Sequence, residues 1–160
     1  MQTLSRNSTL WGYLEPDLQG LISDGEILLD TAETNKGKVS DFSYLVFPFS
    51  KAYEGFLKKL FLDLDVMQED DYYGDDIRIG RILNPGYIEE HQHIYKAMCL
   101  HKKGGVVMTN ALWQVWREAR NQVFHYFPHN FRSLSYGEAL DLIHKIMEAM
   151  NLAVSACGLK

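Results

Sequence analysis

Phe42-Ser-Tyr-Leu-Val-Phe-Pro-Phe-Ser-Lys-Ala-Tyr-Glu-Gly-Phe-Leu-Lys-Lys-Leu-Phe-Leu-Asp-Leu64 is the most apolar stretch of the chain, and its period decides the fold class. Tyr53, Phe56, Leu57, Leu60, Phe61 and Leu64 recur at spacings of three and four, which stacks them on one side of an α-helix. The pattern predicts a core helix. Pro48 either opens the second part of that helix or kinks it, because proline lacks an amide donor and clashes with the preceding turn.

Helical spacing dominates on both sides of this stretch. Residues 18–34 carry Leu18, Leu21, Ile22, Leu28 and Leu29 in a helical pattern interrupted by Gly20 and Gly25, and Asn35-Lys36-Gly37-Lys38 reads as a turn. Ile77-Arg78-Ile79-Gly80-Arg81-Ile82-Leu83 alternates briefly and is expected to be a strand or an extended connector, with a turn at Asn84-Pro85-Gly86. Residues 87–100 look helical, with Ile88, His91, Ile94, Tyr95 and Met98 on one side. Thr109 or Asn110 is expected to cap a further helix whose face is Leu112, Val115, Trp116, Ala119 and Val123, running until Pro128. Ser135-x-x-Glu138 is a capping box placed before Ala139, Leu142, Ile143, Ile146, Met150 and Ala153. Four or five helices with few strand signals predict an all-α bundle.

The 160 residues, 46% hydrophobic and 12% aromatic, suit one domain with a single core: residues 1–40 as an N-terminal helix and turn, 41–160 as the core bundle. No apolar run approaches the roughly 20 residues of a membrane helix, and residues 1–10 lack the layout of a signal peptide, so a cytoplasmic protein is expected. Cys99 and Cys157 form no Cys-x-x-Cys pair and read as two reduced thiols.

The formal net charge of -5 argues at first against a nucleic-acid partner. Its distribution weakens the objection. Seven acids and no base lie between Asp63 and Asp76, whereas residues 101–132 hold Lys102, Lys103, Arg117, Arg120 and Arg132 against Glu118 alone, with His101, His125 and His129.

Within that basic third stands Arg120-Asn121-Gln122-Val123-Phe124-His125. Arginine offers a permanently charged planar fork matched to phosphate oxygens, and an imidazole exchanges protons near neutrality. Together these suffice to cleave RNA without a metal ion. On an ideal helix residues five apart differ by about 140°, so the two flank the Ala119 and Val123 face instead of sharing a stripe. Spacing alone favours an ordinary amphipathic helix with a solvated arginine and a histidine at the last turn, where the helix dipole welcomes a cation.

Arg120-Asn121-x-x-x-His125, late in a helical bundle and followed by another long helix, resembles the Arg-x4–6-His motif of HEPN domains. The resemblance implies an α-helical bundle that dimerises, with a metal-independent ribonuclease site composed of the Arg and His of both protomers. The stretch from Phe42 to Phe61, with Ile79-Gly-Arg-Ile-Leu-Asn-Pro85, looks more particularly like the C-terminal domain of the RNase LS toxins of bacterial toxin–antitoxin systems. That likeness implies that the domain also docks a proteinaceous antitoxin, and that the chain corresponds to one domain of a longer toxin. HEPN toxins silenced by nucleotide transfer carry a tyrosine two places after the histidine. Here that place is Phe127, and Tyr126 follows His125 directly, which puts this mode of regulation in doubt.

In RNase LS toxins a glutamate of the first long helix accompanies the Arg and His, and Glu54 in Lys51-Ala-Tyr-Glu-Gly matches it. Read from the residues, a carboxylate at the margin of an apolar face wants a partner, because burying an unpaired charge is costly. Arg120 or His125 would serve; the alternative is a surface pair with Lys58 four residues on.

The expected chemistry is attack of the RNA 2′-hydroxyl on the adjacent phosphorus, leaving a 2′,3′-cyclic phosphate. His125 would act as general base or acid and Arg120 would bind the phosphate and stabilise its transition-state charge. Glu54 would orient Arg120 or bias His125 toward imidazolium. Asn121, Lys102, Lys103 and Arg117 are candidate substrate-binding residues. Trp113, Trp116, Tyr126 and Phe127 are candidates for base stacking, with core packing preferred for Trp116. No cofactor is expected. A metal site fits poorly: an EF-hand alignment from Glu69 puts Tyr73 and Gly80 at ligand positions, and His91 and His93 would diverge by about 200° on a helix. The competing class is a non-catalytic HEPN-like module that dimerises and docks an antitoxin.

Overall fold

The computed structural model describes residues 1–160 except Asp75, Glu90, His91 and Gln92. The described residues form α-helices joined by turns, with no strand among them. They are α1 (Thr9–Tyr13), α2 (Pro16–Glu33), α3 (Ser43–Asp63), α4 (Glu69–Tyr73), α5 (Ile79–Ile82), α6 (Ile94–Leu100), α7 (Val106–Trp116) and α8 (Tyr136–Cys157). The all-α bundle is as expected; the helices are eight instead of four or five because short ones occupy the connections. Helices α2, α3, α7 and α8 carry the bundle.

Helix α3 lies at its centre, as its composition demands. Leu45, Val46, Phe49, Tyr53, Phe56, Leu57, Leu60 and Phe61 are all buried, more than one helical face, because α2, α8 and the turn that follows α7 pack on it, and Tyr53 reaches Leu112 of α7. A single helix runs through Pro48, so this residue does not open a second one. Leu18 meets Gly55 and Gly25 meets Phe49, which sets α2 antiparallel to α3. A methyl group on Gly25 would fall 2.5 Å from the Phe49 ring, so the absent side chain permits the close approach. Contacts from Phe47 to Phe124, Ser50 to Ala119 and Tyr53 to Leu112 run α7 antiparallel to α3 as well.

Several boundaries differ from expectation. Residues 77–83 are neither strand nor connector throughout: Ile79 and Leu83, four apart, are buried, and burying that pair selects the one-turn α5. The helix expected over residues 87–100 starts at Ile94, after a 3₁₀ turn at Pro85–Tyr87; His91, placed on its face, lies outside the described residues, as does Asp75 of the acidic run. Helix α7 begins at Val106, not after Thr109 or Asn110. Its N-cap is Gly105, whose φ of 89° favours glycine, and Thr109 is buried inside the helix with its hydroxyl donating to the Gly105 carbonyl. The capping box at Ser135 and Glu138 is formed, with both reciprocal bonds. Cys99 and Cys157 are both free thiols.

Between α7 and α8 the loop is tied to the start of α3 by one carboxylate. Asp41 accepts hydrogen bonds from the Ser43 amide (2.9 Å) and hydroxyl (2.6 Å), Asn130 Nδ2 (2.9 Å) and the Leu134 amide (3.1 Å). The Phe42 amide donates in turn to the Leu134 carbonyl at 2.9 Å. Burial opposes the charge, but the donors outweigh it and hold the Asp41 carboxyl down at about 2. A depressed carboxyl contributes stability above the ordinary aspartate range and loses it as pH falls toward that value. Asp41→Asn is therefore expected to lower stability by about 1 kcal/mol near neutrality, allowing for solvent screening. In paired thermal melts the gap between wild type and Asp41→Asn should shrink as pH falls from 5 to 2; a gap independent of pH would refute the assignment.

Candidate active site around Arg120

Helix α7 does not continue to Pro128 as an α-helix. At Arg117 its hydrogen bonding changes to a π-helical turn that runs to Gln122, after which residues 123–125 leave the helix. A π turn links residue i to i+5 and accommodates one extra residue. Ser50 of α3 is 1% exposed, and its hydroxyl donates to the Ala119 carbonyl inside this turn at 2.5 Å. A side chain entering the backbone ladder is a recognised cause of such irregularity. Three residues along α3, the buried Tyr53 hydroxyl donates to the Leu112 carbonyl at 2.8 Å, and desolvation drives its pKa well above the ordinary tyrosine value.

The π turn sends Arg120 toward α3. Its Nε donates to Glu54 Oε2 at 3.4 Å, bringing together residues 66 apart in sequence. Of the alternatives open for Glu54 the structure forms the pair with Arg120, while Lys58 Nζ donates instead to the Tyr72 carbonyl. Both side chains stay about one-third exposed, 37% for Arg120 and 35% for Glu54, so the pair itself adds at most about 1 kcal/mol. Its consequence is orientation. The guanidinium lies 5.8 Å from the Trp116 ring centroid and 5.6 Å from that of Phe124, and Phe124 packs edge-on against Phe47. Trp116 is buried, as preferred for it, and α5 seats its indole: a methyl group on Gly80 would lie 2.6 Å from Trp116 Nε1. With Nε on Glu54, the two terminal amino groups of Arg120 make no hydrogen bond to a described residue.

His125 is exposed at the bend past the π turn, with no hydrogen bond or ion pair to a described residue. The chain thus joins Arg120 to Glu54 but not to His125. Asn121 is half-buried beside Arg120 and likewise makes no side-chain hydrogen bond. Arg117 points elsewhere: it lines a groove of about 570 Å³ between the π turn, the loop after it and α8, with Glu118, Arg132, Glu138, Asp141 and Lys145. Glu118 there binds Lys145 at 2.8 Å and Gln114 at 3.0 Å, and Lys145 is the main cause of its lowered pKa. Lys102 and Lys103 are exposed in the turn before α7, so the length of that helix sets them roughly 20 Å from Arg120. Within one chain they do not belong to the same site. Among the described residues no three His, Cys, Asp or Glu side chains cluster as metal ligands, although His91 lies outside those residues. No described helix is long and apolar enough to cross a membrane.

Sequence pattern missed Ser50, Phe47 and Phe124. Ser50 follows the apolar run from Tyr44 to Phe49 in the first half of α3, and a hydroxyl at that place was its only signal. Ser50→Ala leaves the Ala119 carbonyl without this donor and is expected to cost about 1–3 kcal/mol. Urea unfolding of the two proteins would measure it, and a difference under 0.5 kcal/mol would show that the π turn does not depend on the bond. In comparisons with known proteins, no family model, no curated protein and no solved structure matches the chain.

Proposed function

We propose that the protein is a metal-independent endoribonuclease of HEPN type, with Arg120 and His125 as its catalytic residues and Glu54 as the residue that positions Arg120. The observation that carries this reading is the Glu54–Arg120 pair, which fixes the guanidinium by Nε and leaves its terminal amino groups for a phosphate. A planar fork with two free corners suits bidentate binding of phosphate oxygens. On this reading Arg120 binds the scissile phosphate and stabilises the charge added as the 2′-hydroxyl attacks. His125 takes the hydroxyl proton or returns one to the leaving 5′-oxygen, a contribution typically of about 10²- to 10⁴-fold. The products are a 2′,3′-cyclic phosphate end and a 5′-hydroxyl end.

His125 stands apart from Arg120 within one chain, which fits the composite arrangement implied by the HEPN resemblance: the histidine of one protomer serves the arginine of the other across a two-fold axis. Exposed Phe47 and Tyr44, on the same side of α3 as the Phe124 ring, give such an interface apolar area. The wider setting proposed is the cytoplasm, as the toxin domain of a toxin–antitoxin system to which a proteinaceous antitoxin docks. A second reading, an antitoxin-docking module without catalysis, is favoured by the net charge of -5, which is unfavourable for RNA.

Wild type, Arg120→Ala, His125→Ala and Glu54→Gln, incubated with mixed RNA in EDTA, separate the two. Arg120→Ala and His125→Ala should lower cleavage at least 100-fold, and Glu54→Gln about tenfold through loss of orientation. Absence of cleavage by the wild type, or equal cleavage by the variants, would defeat the catalytic reading. Cleavage that EDTA abolishes would point to metal chemistry instead.

A further inference from the structure

The residues that follow His125 form a short loop rich in rings and closed by a cation: Tyr126, Phe127, His129, Phe131 and Arg132. Hydrophobic burial would ordinarily remove such rings from water, yet Tyr126 is 79% and Phe131 67% exposed. Phe127 and Phe131 meet edge to face with centroids 5.4 Å apart, and the Arg132 guanidinium lies 3.8 Å from the Phe127 centroid and 5.5 Å from that of Phe131. Arg132 has no ion pair with a described residue, so the rings and not a carboxylate orient its fork.

The loop is also tied down by hydrogen bonds. His129 and Asn130 both adopt left-handed backbone, at φ 61° and 49°, which L residues other than glycine take up at a cost. The Asp41 carboxylate compensates by binding Asn130 and Leu134, and the Asn130 amide donates to the Phe127 carbonyl at 2.8 Å. The clasp at Asp41 fixes where the loop lies, and large rings face solvent beyond it.

We infer that residues 126–132, which follow His125 directly in the chain, are a stacking surface for the bases of single-stranded RNA. The choice of RNA rests on the ribonuclease reading above. The chemistry of the loop supports single strands in particular, because unpaired bases expose the π faces that aromatic rings and a planar guanidinium stack upon. Duplex RNA buries those faces. The Arg132 guanidinium among the rings supplies a charge for the phosphate backbone, and Arg117 and Lys145 line the same groove, together with Glu118, Glu138 and Asp141. Arg120 and His125 would then act on the phosphate, while Phe131 and Arg132 select an accessible, unpaired stretch.

The test uses the whole chain and a fluorescein-labelled, fully 2′-O-methylated RNA of mixed sequence and about 12 nucleotides, which lacks the attacking hydroxyl and cannot be cleaved. By fluorescence anisotropy, Phe131→Ala and Arg132→Ala should each weaken binding about tenfold, the loss expected for one stacked base. Phe131→Trp should bind as well as wild type. Arg132→Lys should weaken binding too, because an ammonium keeps the charge but does not stack. Thermal melts of all four variants check that they fold, and the conservative pair carries the test if an alanine variant does not. Unchanged affinity across the variants, or no binding of the wild type, would overturn the inference. So would a Phe131→Ala protein whose only change is its mass in solution, which would make the ring a contact between copies. Loop-dependent binding without any cleavage of natural RNA would instead retain the stacking surface and remove the nuclease reading.

Discussion

The hydrogen bond from Ser50 to the Ala119 carbonyl is the contact on which the arrangement of the last third of the molecule turns. Both groups are buried, so breaking the bond leaves a carbonyl or a hydroxyl unsatisfied in a low-dielectric interior. Kept, it accompanies the change from α- to π-helical bonding at Arg117–Gln122, and with it the direction in which Arg120 leaves the helix. An uninterrupted α-helix would carry the hexad on for another turn and distribute its side chains differently. The π turn instead puts Arg120 against α3 and releases the chain before His125.

Helix α3 acts as a ruler for everything around this point. Asp41, just before its first turn, fixes the loop through Asn130 and Leu134; Ser50 fixes the π turn; Glu54 fixes the guanidinium. Ser50 and Glu54 lie on one continuous helix, packed along most of its length, and Asp41 stands two residues before its start, so helix geometry sets the separations of these groups. None of the three contacts is strong alone. An exposed ion pair adds little, but one supported by rings on both sides and a rigid backbone below gives precision of placement, the quantity that phosphate recognition needs.

This division explains what could be read from the residues alone. The period of Tyr53, Phe56, Leu57, Leu60 and Phe61 announced α3 because burial is a property of a whole face. The capping box at Ser135 and Glu138 was legible because its two partners are three residues apart. Glu54 and Arg120 were singled out as candidates partly by resemblance, and their pairing needed only the expectation that a carboxylate at an apolar margin finds a cation. The π turn was not legible. Leu112, Val115, Trp116, Ala119 and Val123 keep good α-helical spacing through it, and its partner hydroxyl lies 69 residues away. Thr109 misled for a related reason: as a cap residue it is locally plausible, but Gly104 and Gly105 had already started the helix and Thr109 satisfies its hydroxyl inside it. Lys102, Lys103 and Arg117 look close to Arg120 in sequence, yet one helix length and a change of face separate them.

The charge distribution, finally, bears on whether an acidic protein can hold RNA at this surface. The acidic run starting at Asp63 continues into α4, which packs back onto α3 near Lys58 through the bond to the Tyr72 carbonyl. The loop bearing Arg132 is tied to Asp41 at the opposite end of α3. Fifteen residues of α3 separate Lys58 from Ser43, or roughly 23 Å at 1.5 Å per residue, and Asp41 lies just beyond. Solvent-exposed charges are screened over about 8 Å at physiological ionic strength, so the acids act on the loop across roughly three screening lengths. Their repulsion there is small beside the attraction of Arg120 and Arg132 for a phosphate in direct contact. Net charge therefore governs long-range approach and solubility, whereas the local sign around the π turn governs binding. On that ground the distant acidic run weighs less against RNA than the net charge of -5 suggests, whereas Glu118, Glu138 and Asp141 offset Arg117, Arg132 and Lys145 within the groove itself.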